Sequence, residues 1–479
     1  MIDLEYSYLS LPTTFYQKVK PSSFSKPELL LLNQSLLDEL NIPKVNPQEF
    51  ISFLLNQEAT DAVGSFAQAY AGHQFGHFTR LGDGRAIVVG EYVSTGNLRY
   101  DLQLKGSGRT PYSRGGDGKA TLKSVLREYL MSEAMHALKV QSSRSLAVVK
   151  TGEWVQREKP QEGAFLLRLM KSHIRVGTFE YARYFGSTED QKALMDYTIQ
   201  RLYPEIKQEE NQALALLKKV MLVQIELVVE WMRIGFIHGV MNTDNTSISG
   251  ETFDYGPCAF MNVYHPKTVF SSIDTQGRYA FGNQPSIIKW NLAKFAESLL
   301  PLLHPEPETA LQLAQEAIDE FEDIWHKKYY KMMLLKVGIE NASPENYSLV
   351  NELLAMMKEL KLDYTNTFFA LSRDQFEEGN PMLDSVEFKN WLENWKSLIH
   401  NSTGMAHAQK IMKENNPAFV PRNYLVEEAL EKAIEGDFTK FEQLLKVLQN
   451  PYQYQENLNH FTLPPPEEFE ISYATFCGT

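Results

Sequence analysis

Apolar positions change period several times along this chain, and each change marks an element. Arg85–Tyr92 and Leu98–Lys105 are short β-rich runs, and the Ser94-Thr95-Gly96-Asn97 stretch between them has the composition of a hairpin turn. Leu122, Val125, Leu126, Tyr129, Leu130 and Ala134 then recur at three and four, which predicts a helix over Thr121–Leu138. A further strand is expected at Ala164–Met170, and a long helix rich in Leu, Val and Met at Gln212–Ile234, closed by Gly235. Ahead of the first strands, Lys26–Leu40 reads as a short helix. After about Leu299 the pattern becomes helical and acidic, with Trp325, Phe369 and Trp395 as expected core anchors. Leu463–Glu468 holds Pro464, Pro465 and Pro466 in a row and is expected to be an extended tail.

Composition narrows the classes this pattern can serve. The 479 residues can bury a large core, and 47 Lys and Arg against 60 Asp and Glu give a net charge of −13. That balance argues against coating nucleic acid. Charge is uneven, however: Asp101–Arg183 holds 15 Lys and Arg against 8 Asp and Glu, which suggests an anionic ligand bound in one place. Two cysteines, Cys258 and Cys477, exclude a disulfide scaffold. The N-terminal residues lack the pattern of a signal peptide, and no apolar run reaches the ~18 residues that span a bilayer. A monomeric cytoplasmic protein is expected, with neither nucleic acid nor membrane as partner.

The chemistry-bearing residues lie in the basic segment and just beyond it. Gly82-Asp83-Gly84-Arg85 precedes a strand, where two glycines allow a backbone to approach a phosphate closely. Lys105 ends the next strand, as the phosphate-gripping lysine of protein kinases does, and Glu128 or Glu133 on the following helix is its candidate partner. Glu128 is preferred because it flanks the apolar stripe. Between them runs a long Gly- and Arg-rich loop, Gly106–Lys119, in which Asp117 and Gly118 can offer a carboxylate and an amide to a nucleotide. Arg168 and Arg175 are further candidates for phosphate oxygens.

The most specific signal is His238-Gly239-Val240-Met241-Asn242-Thr243-Asp244-Asn245, followed by Asp254-Tyr255-Gly256. Kinases space a catalytic loop as H-R-D-L-x-x-x-N before D-F-G. His238 and Asn245 take the kinase His and Asn places, and Asn245 with Asp254 supplies hard oxygen ligands for Mg2+ or Mn2+. The kinase catalytic Asp is replaced by Val240, while Asp244 adds a new carboxylate beside Asn245. Short strands are expected on both sides of this loop, at Phe236-Ile237 and within Ser247–Phe253, and His238 reads as a structural, hydrogen-bonded histidine. The element order is that of an α+β, two-lobed protein-kinase-like fold. It divides into an N-terminal extension (1–60), an N-lobe (61–160), a C-lobe (161–298) and an all-helical C-terminal extension (299–479).

Taken together these segments resemble the selenoprotein O family. The stretches that carry the likeness are Ala71–Gly76, Leu81–Arg85, Asp101–Gly106, Thr110–Arg114, Ser132–His136, Arg175–Glu180, His238–Asn245, Asp254–Pro257 and Gly282–Pro285. The resemblance implies transfer of AMP from ATP to Ser, Thr or Tyr hydroxyls of proteins, with UMP from UTP as a manganese-supported variant. It implies that Gly82, Gly84, Arg85, Lys105, Asp117, Gly118, Arg168, Arg175 and Asp254 contact nucleotide. Asn245 and Asp254 would hold the metal, with Asp244 as the base. Cys477 stands where relatives carry selenocysteine or cysteine, so a reversible link to Cys258 is a further expectation. Phe78-Thr79-Arg80, Gly115-Gly116 and Asn262-Val263 depart from the family pattern, the last implying a weaker charge around the metal. An ordinary kinase and a nucleotide-binding pseudokinase scaffold are the alternatives.

Overall fold

The computed structural model describes residues 2–55, 64–376 and 381–475. Its strands are β1 (Tyr16–Lys18), β2 (Glu28–Leu32), β3 (Phe66–Gln68), β4 (Ala71–Gln74), β5 (His77–Arg80), β6 (Ala86–Val93), β7 (Arg99–Lys105), β8 (Ala120–Thr121), β9 (Arg144–Gln156), β10 (Pro160–Met170), β11 (Phe236–Ile237) and β12 (Ala259–Phe260). An eight-stranded antiparallel sheet runs β1-β3-β6-β7-β10-β9-β2, with β8 on the end of β10. Both edge strands of that path come from the first 60 residues.

The sheet separates two cores because successive side chains of a strand point to opposite faces. Leu102 and Leu104 of β7, with Phe165, Leu167 and Leu169 of β10, join the smaller cluster against helices α1 (Gln34–Glu39) and α2 (Pro47–Leu54). Ala164 and Leu166 point the other way, into the larger cluster with helix α3 (Leu122–Ala137). Gln103, Lys105 and Arg168 share this second orientation, so the strands deliver polar groups to the functional side and leucines to the other. Thr121 caps α3 by accepting from Ser124 N.

Beyond the sheet come α4 (Val176–Phe185), α5 (Thr188–Leu202) and the 23-residue α6 (Gln212–Ile234), which ends at Gly235 with φ 73°. Its end is held from the C-terminal helices: buried Lys336 donates to Arg233 O at 2.8 Å and to Asn416 Oδ1 at 3.0 Å. Helix α7 (Gln284–Leu303) and further helices from Pro307 to Ser472 follow, and the buried apolar side chains of those up to Leu448 belong to the same cluster as α3 and α6. The result is α+β. No helix among the described residues is long and apolar enough to cross a membrane.

The structure corrects four expectations. Lys26–Leu40 is not one helix: Glu28–Leu32 is a strand, and only Gln34–Glu39 is helical. Ser247–Phe253 forms no strand, because Gly250 turns the chain at φ 73°, and the partner of β11 is Ala259–Phe260. The proline tail ends earlier than expected, as Glu467–Ser472 is helical. Phe369 lies at the core's edge against Tyr454, whereas its neighbour Phe368 is fully buried, as is Trp395, and Trp325 is buried too.

Candidate active site

Four of the expected residues meet where β7, β10, α3 and the segment after β11 converge. Lys105 Nζ lies 2.5 Å from Glu128 Oε2 and also contacts Asp254. Arg168 Nη1 reaches Glu128 Oε1 at 2.7 Å and Asp254 Oδ1 at 2.9 Å, while its Nε and Nη2 donate to Gln103 Oε1 at 2.9 and 2.7 Å. Four of the five Arg168 N–H donors are therefore engaged. Burial by itself would raise the Asp254 carboxyl, but Lys105 and Arg168 hold it well below the usual carboxylate range. The alternative partner Glu133 faces elsewhere: it accepts from Arg144, Asn33 and the Ser145 amide.

Arg175 centres a second cluster. Its Nη1 donates to Asp244 O at 3.2 Å and its Nη2 to Asp83 Oδ1 at 3.4 Å, with the guanidinium 4.0 Å from the Tyr70 ring centroid. The Phe253 ring lies against both Arg168 and Arg175, joining the two clusters. Asp83, inside the glycine turn, also accepts from Gln68 N and Gln103 Nε2, and burial raises its pKa against the pull of Arg175.

The candidate catalytic turn is a 3₁₀ segment, Thr243–Asn245. Asn245 Nδ2 donates to Val240 O at 3.0 Å, which orients its carbonyl oxygen away from that contact. His238 has its Nε2 3.2 Å from Phe253 O, bracing the residue before Asp254, as expected of a structural histidine. Asp254 itself sits at φ 62° and keeps its side chain 26% exposed. Asp244 is buried, and its Oδ1 has no hydrogen-bond partner. Burial pushes its carboxyl up to about 6 against the pull of Arg175. A carboxylate with that value can hold or release a proton near neutrality.

Several residues that shape this turn were missed in the sequence. Gly72 of β4 packs on Asp244 so closely that a Cβ there would lie 2.3 Å from Oδ1. Gly177 on α4 is equally confined, since a Cβ there would lie 2.0 Å from Ala71 O. Glu180 accepts from Thr243 Oγ1 at 2.5 Å and pairs with His73 Nδ1 at 2.5 Å, and Thr243 Oγ1 accepts from His73 N at 2.8 Å. Burial pushes Glu180 up to about 7. The β4–β5 hairpin is closed by Phe75-Gly76 at φ 50° and 87°, the type I′ signature. Asn242 Oδ1 accepts from Phe75 N at 3.1 Å and Tyr279 OH at 2.6 Å, which secures this unfavourable aromatic position. None of these contacts has a local periodicity; they cross 37 to 170 positions.

The glycine turn and the long loop form one unit. Thr110 Oγ1 donates to Asp83 O at 2.6 Å and Ser113 Oγ to Gly84 O at 2.5 Å, so Tyr112 lies directly over Gly82 and Gly84. The Arg85 carbonyl accepts from Gly106 N at 2.7 Å. Asp117 and Gly118 stand at the neck of the loop. Asp117 pairs with Arg157 at 2.8 Å and accepts from Lys119 N, while Gly118, at φ 69°, meets Gly108 across the neck.

Among the described residues no group of three or more His, Cys, Asp or Glu side chains is placed to hold a metal. Asn245 and Asp254 nevertheless fit a magnesium-type ion, which takes one or two protein oxygens and fills its shell with phosphate and water. Asn262 does not bear on that site: its amide binds Arg422 at 2.9 Å and Glu470 at 2.6 Å, joining the C-terminal helices. Cys258 is a buried free thiol pushed up to about 11 by burial, and Cys477 lies outside the described residues.

A family model described as protein adenylyltransferase SelO matches residues 1–449. A protein of Brevibacillus brevis named protein nucleotidyltransferase YdiU is 51% identical over 482 residues, covering 100% of this chain and 98% of that protein. Proteins of the same name from Bacillus thuringiensis and Clostridium perfringens are 49% and 48% identical, each with 100% of this chain and 98% of the relative covered.

Proposed function

The chain belongs to the SelO family of protein adenylyltransferases, and from that premise we propose that it moves AMP from ATP onto Ser, Thr or Tyr hydroxyls of other proteins. Nucleotidyl transfer to protein is the family's activity, and the enzyme class follows from membership. The observation that carries the finer reading is the position of Asp244. The place of a kinase base is filled by buried Val240, and the nearest acid, Asp244, has one carboxyl oxygen without a hydrogen bond and is pushed by burial up to about 6.

In this reading Asp244 takes the proton as the acceptor hydroxyl oxygen bonds to the α-phosphorus. The bond from that phosphorus to the bridging oxygen breaks, and pyrophosphate leaves. Lys105, held by Glu128, and the arginine-rich loop 106–119 bind phosphate oxygens, with Gly82, Gly84 and Arg85 opposite. Arg175 orients Asp244 through its backbone carbonyl. Asn245 and Asp254 would hold a divalent ion, which when bound would supply charge neutralisation on the phosphates. A two-lobed kinase-like arrangement accommodates these parts, and UMP transfer with manganese would use the same groups.

Incubation with ATP labelled at the α- or the γ-phosphate tests this. Protein-bound label from α-ATP alone is expected, and it should vanish in Asp254→Ala. Label from γ-ATP alone would make the chain a kinase, and label from neither would make it a scaffold.

A further inference from the structure

Tyr184 and Phe185 of α4 and Phe78 of β5 form an exposed aromatic patch on the face of the catalytic turn formed by the β4–β5 hairpin. Their exposures are 56%, 42% and 39%. Phe78 packs 4.8 Å from Tyr184 and 6.1 Å from Phe185, ring centroid to centroid. Arg80 lies over Phe185 and Tyr181 at 5.1 and 5.6 Å. On the other flank Phe78 meets His73 at 5.1 Å, His73 meets Trp290 at 5.2 Å, and Arg278 covers Trp290 at 4.9 Å. Other exposed large apolar side chains, such as Leu98, Trp154, Leu311 and Val386, are scattered over separate elements. Contiguous apolar surface of this kind marks an interaction site.

Two further observations give the surface a function. The hairpin that carries Phe78 and Arg80 is the one whose Gly72 touches Asp244, and it is bonded to the catalytic turn through Thr243 and Asn242. A polypeptide seated on the patch would therefore lie beside the candidate base. Arg80 and Arg278 make no ion pair among the described residues, and Arg278 Nε is buried without a hydrogen bond. Unpaired guanidiniums are conspicuous in a chain of net charge −13. Screening confines electrostatics to ~8 Å at physiological salt, so a bound segment senses these arginines rather than the overall charge.

We propose that this aromatic and arginine surface docks the acceptor protein, through an acidic segment with an aromatic or aliphatic side chain near the modified hydroxyl. The proposal rests on the transferase reading. Aromatic and arginine side chains are the usual energetic centres of protein interfaces, where truncation costs about ten-fold or more in affinity.

The test uses the full chain and two short fluorescent peptides. Both contain one serine and one tyrosine between phenylalanines, with glutamate at every other position in one and lysine in the other. Binding is read by anisotropy without nucleotide, and transfer with α-labelled ATP. The wild type should bind the glutamate peptide more tightly. Phe78→Ser combined with Arg80→Glu should weaken it about ten-fold or more and shift preference toward the lysine peptide. ATP affinity and melting temperature should stay unchanged, and Trp154→Ser should have no effect. Retained glutamate-peptide binding in the double variant would overturn the proposal. So would a parallel loss of ATP affinity, or a wild-type dimer that the variant dissociates. Binding that depends on this face without any AMP transfer would support the docking surface and remove the transferase reading.

Discussion

Replacing Glu180 by Gln should stabilise the protein at alkaline pH, although Glu180 bonds two residues around the catalytic turn. The carboxyl is fully buried, and burial moves it from its usual 4.5 to about 7. An acid raised in this way favours the fold while protonated, and that advantage is lost as pH rises through 4.5 to 7. At pH 8 the ionised carboxyl costs the folded state about 3 kcal/mol relative to the unfolded chain, and at pH 5 about 1 kcal/mol. Gln removes this term while still accepting from Thr243 Oγ1, and its amide can donate to His73 Nδ1. An unfolding entropy of about 1 kcal/mol/K for a chain this long converts the pH 8 gain into a melting temperature roughly 3 °C higher. The rise should shrink to about 1 °C at pH 5. Glu180→Ala, by contrast, leaves a buried donor unsatisfied, at a cost of ~1–3 kcal/mol, and should loosen the hairpin and slow transfer. Calorimetry of the nucleotide-free protein at both pH values decides. Equal destabilisation by Gln and Ala at pH 8 would refute the reasoning and mean that an ionised His73–Glu180 pair holds the hairpin.

Gly72→Ala should lower α-label transfer by up to ~10²-fold through displacement of Asp244, with ATP affinity unchanged in a binding titration. Arg168→Ala should destabilise the fold by about 3–5 kcal/mol, because Glu128 and Asp254 lose a buried counter-charge. Urea unfolding checks this, and a loss of ATP affinity without a loss of stability would assign Arg168 to phosphate alone. Cys258 should resist alkylation in the native protein and react only after denaturation, since its thiol is buried and pushed up to about 11. Peptide mass mapping separates it from Cys477.

Parts of the site were readable because their signal is local. The Lys105 strand end, the stripe on α3 that turns Glu128 inward, and the His238–Asn245 spacing each lie within one element. His73 and Glu180 were not readable, since they are 107 positions apart and neither motif says that the other will fold over Thr243. Glu28–Leu32 misled for another reason: consecutive leucines fit a buried helix turn and a strand equally well. Ser247–Phe253 was also expected to hold a strand. The segment forms a turn instead, in which Glu251 is buried and accepts from Lys171 N and Ser249 Oγ.

The sheet's two-faced arrangement makes β10 sensitive to length as well as to identity. Arg168 faces Glu128 and Asp254, while Leu167 and Leu169 on either side face the other core. Substituting any one of them alters one contact set. Removing or adding one residue upstream within the strand reverses both faces together, burying a guanidinium among leucines and presenting a leucine to two carboxylates. The pairing of β10 with β9 is already offset between Glu162 and Ala164 and again between Leu167 and Arg168. Those offsets are where the strand can absorb a change in count, so insertions and deletions should survive there and nowhere else along it.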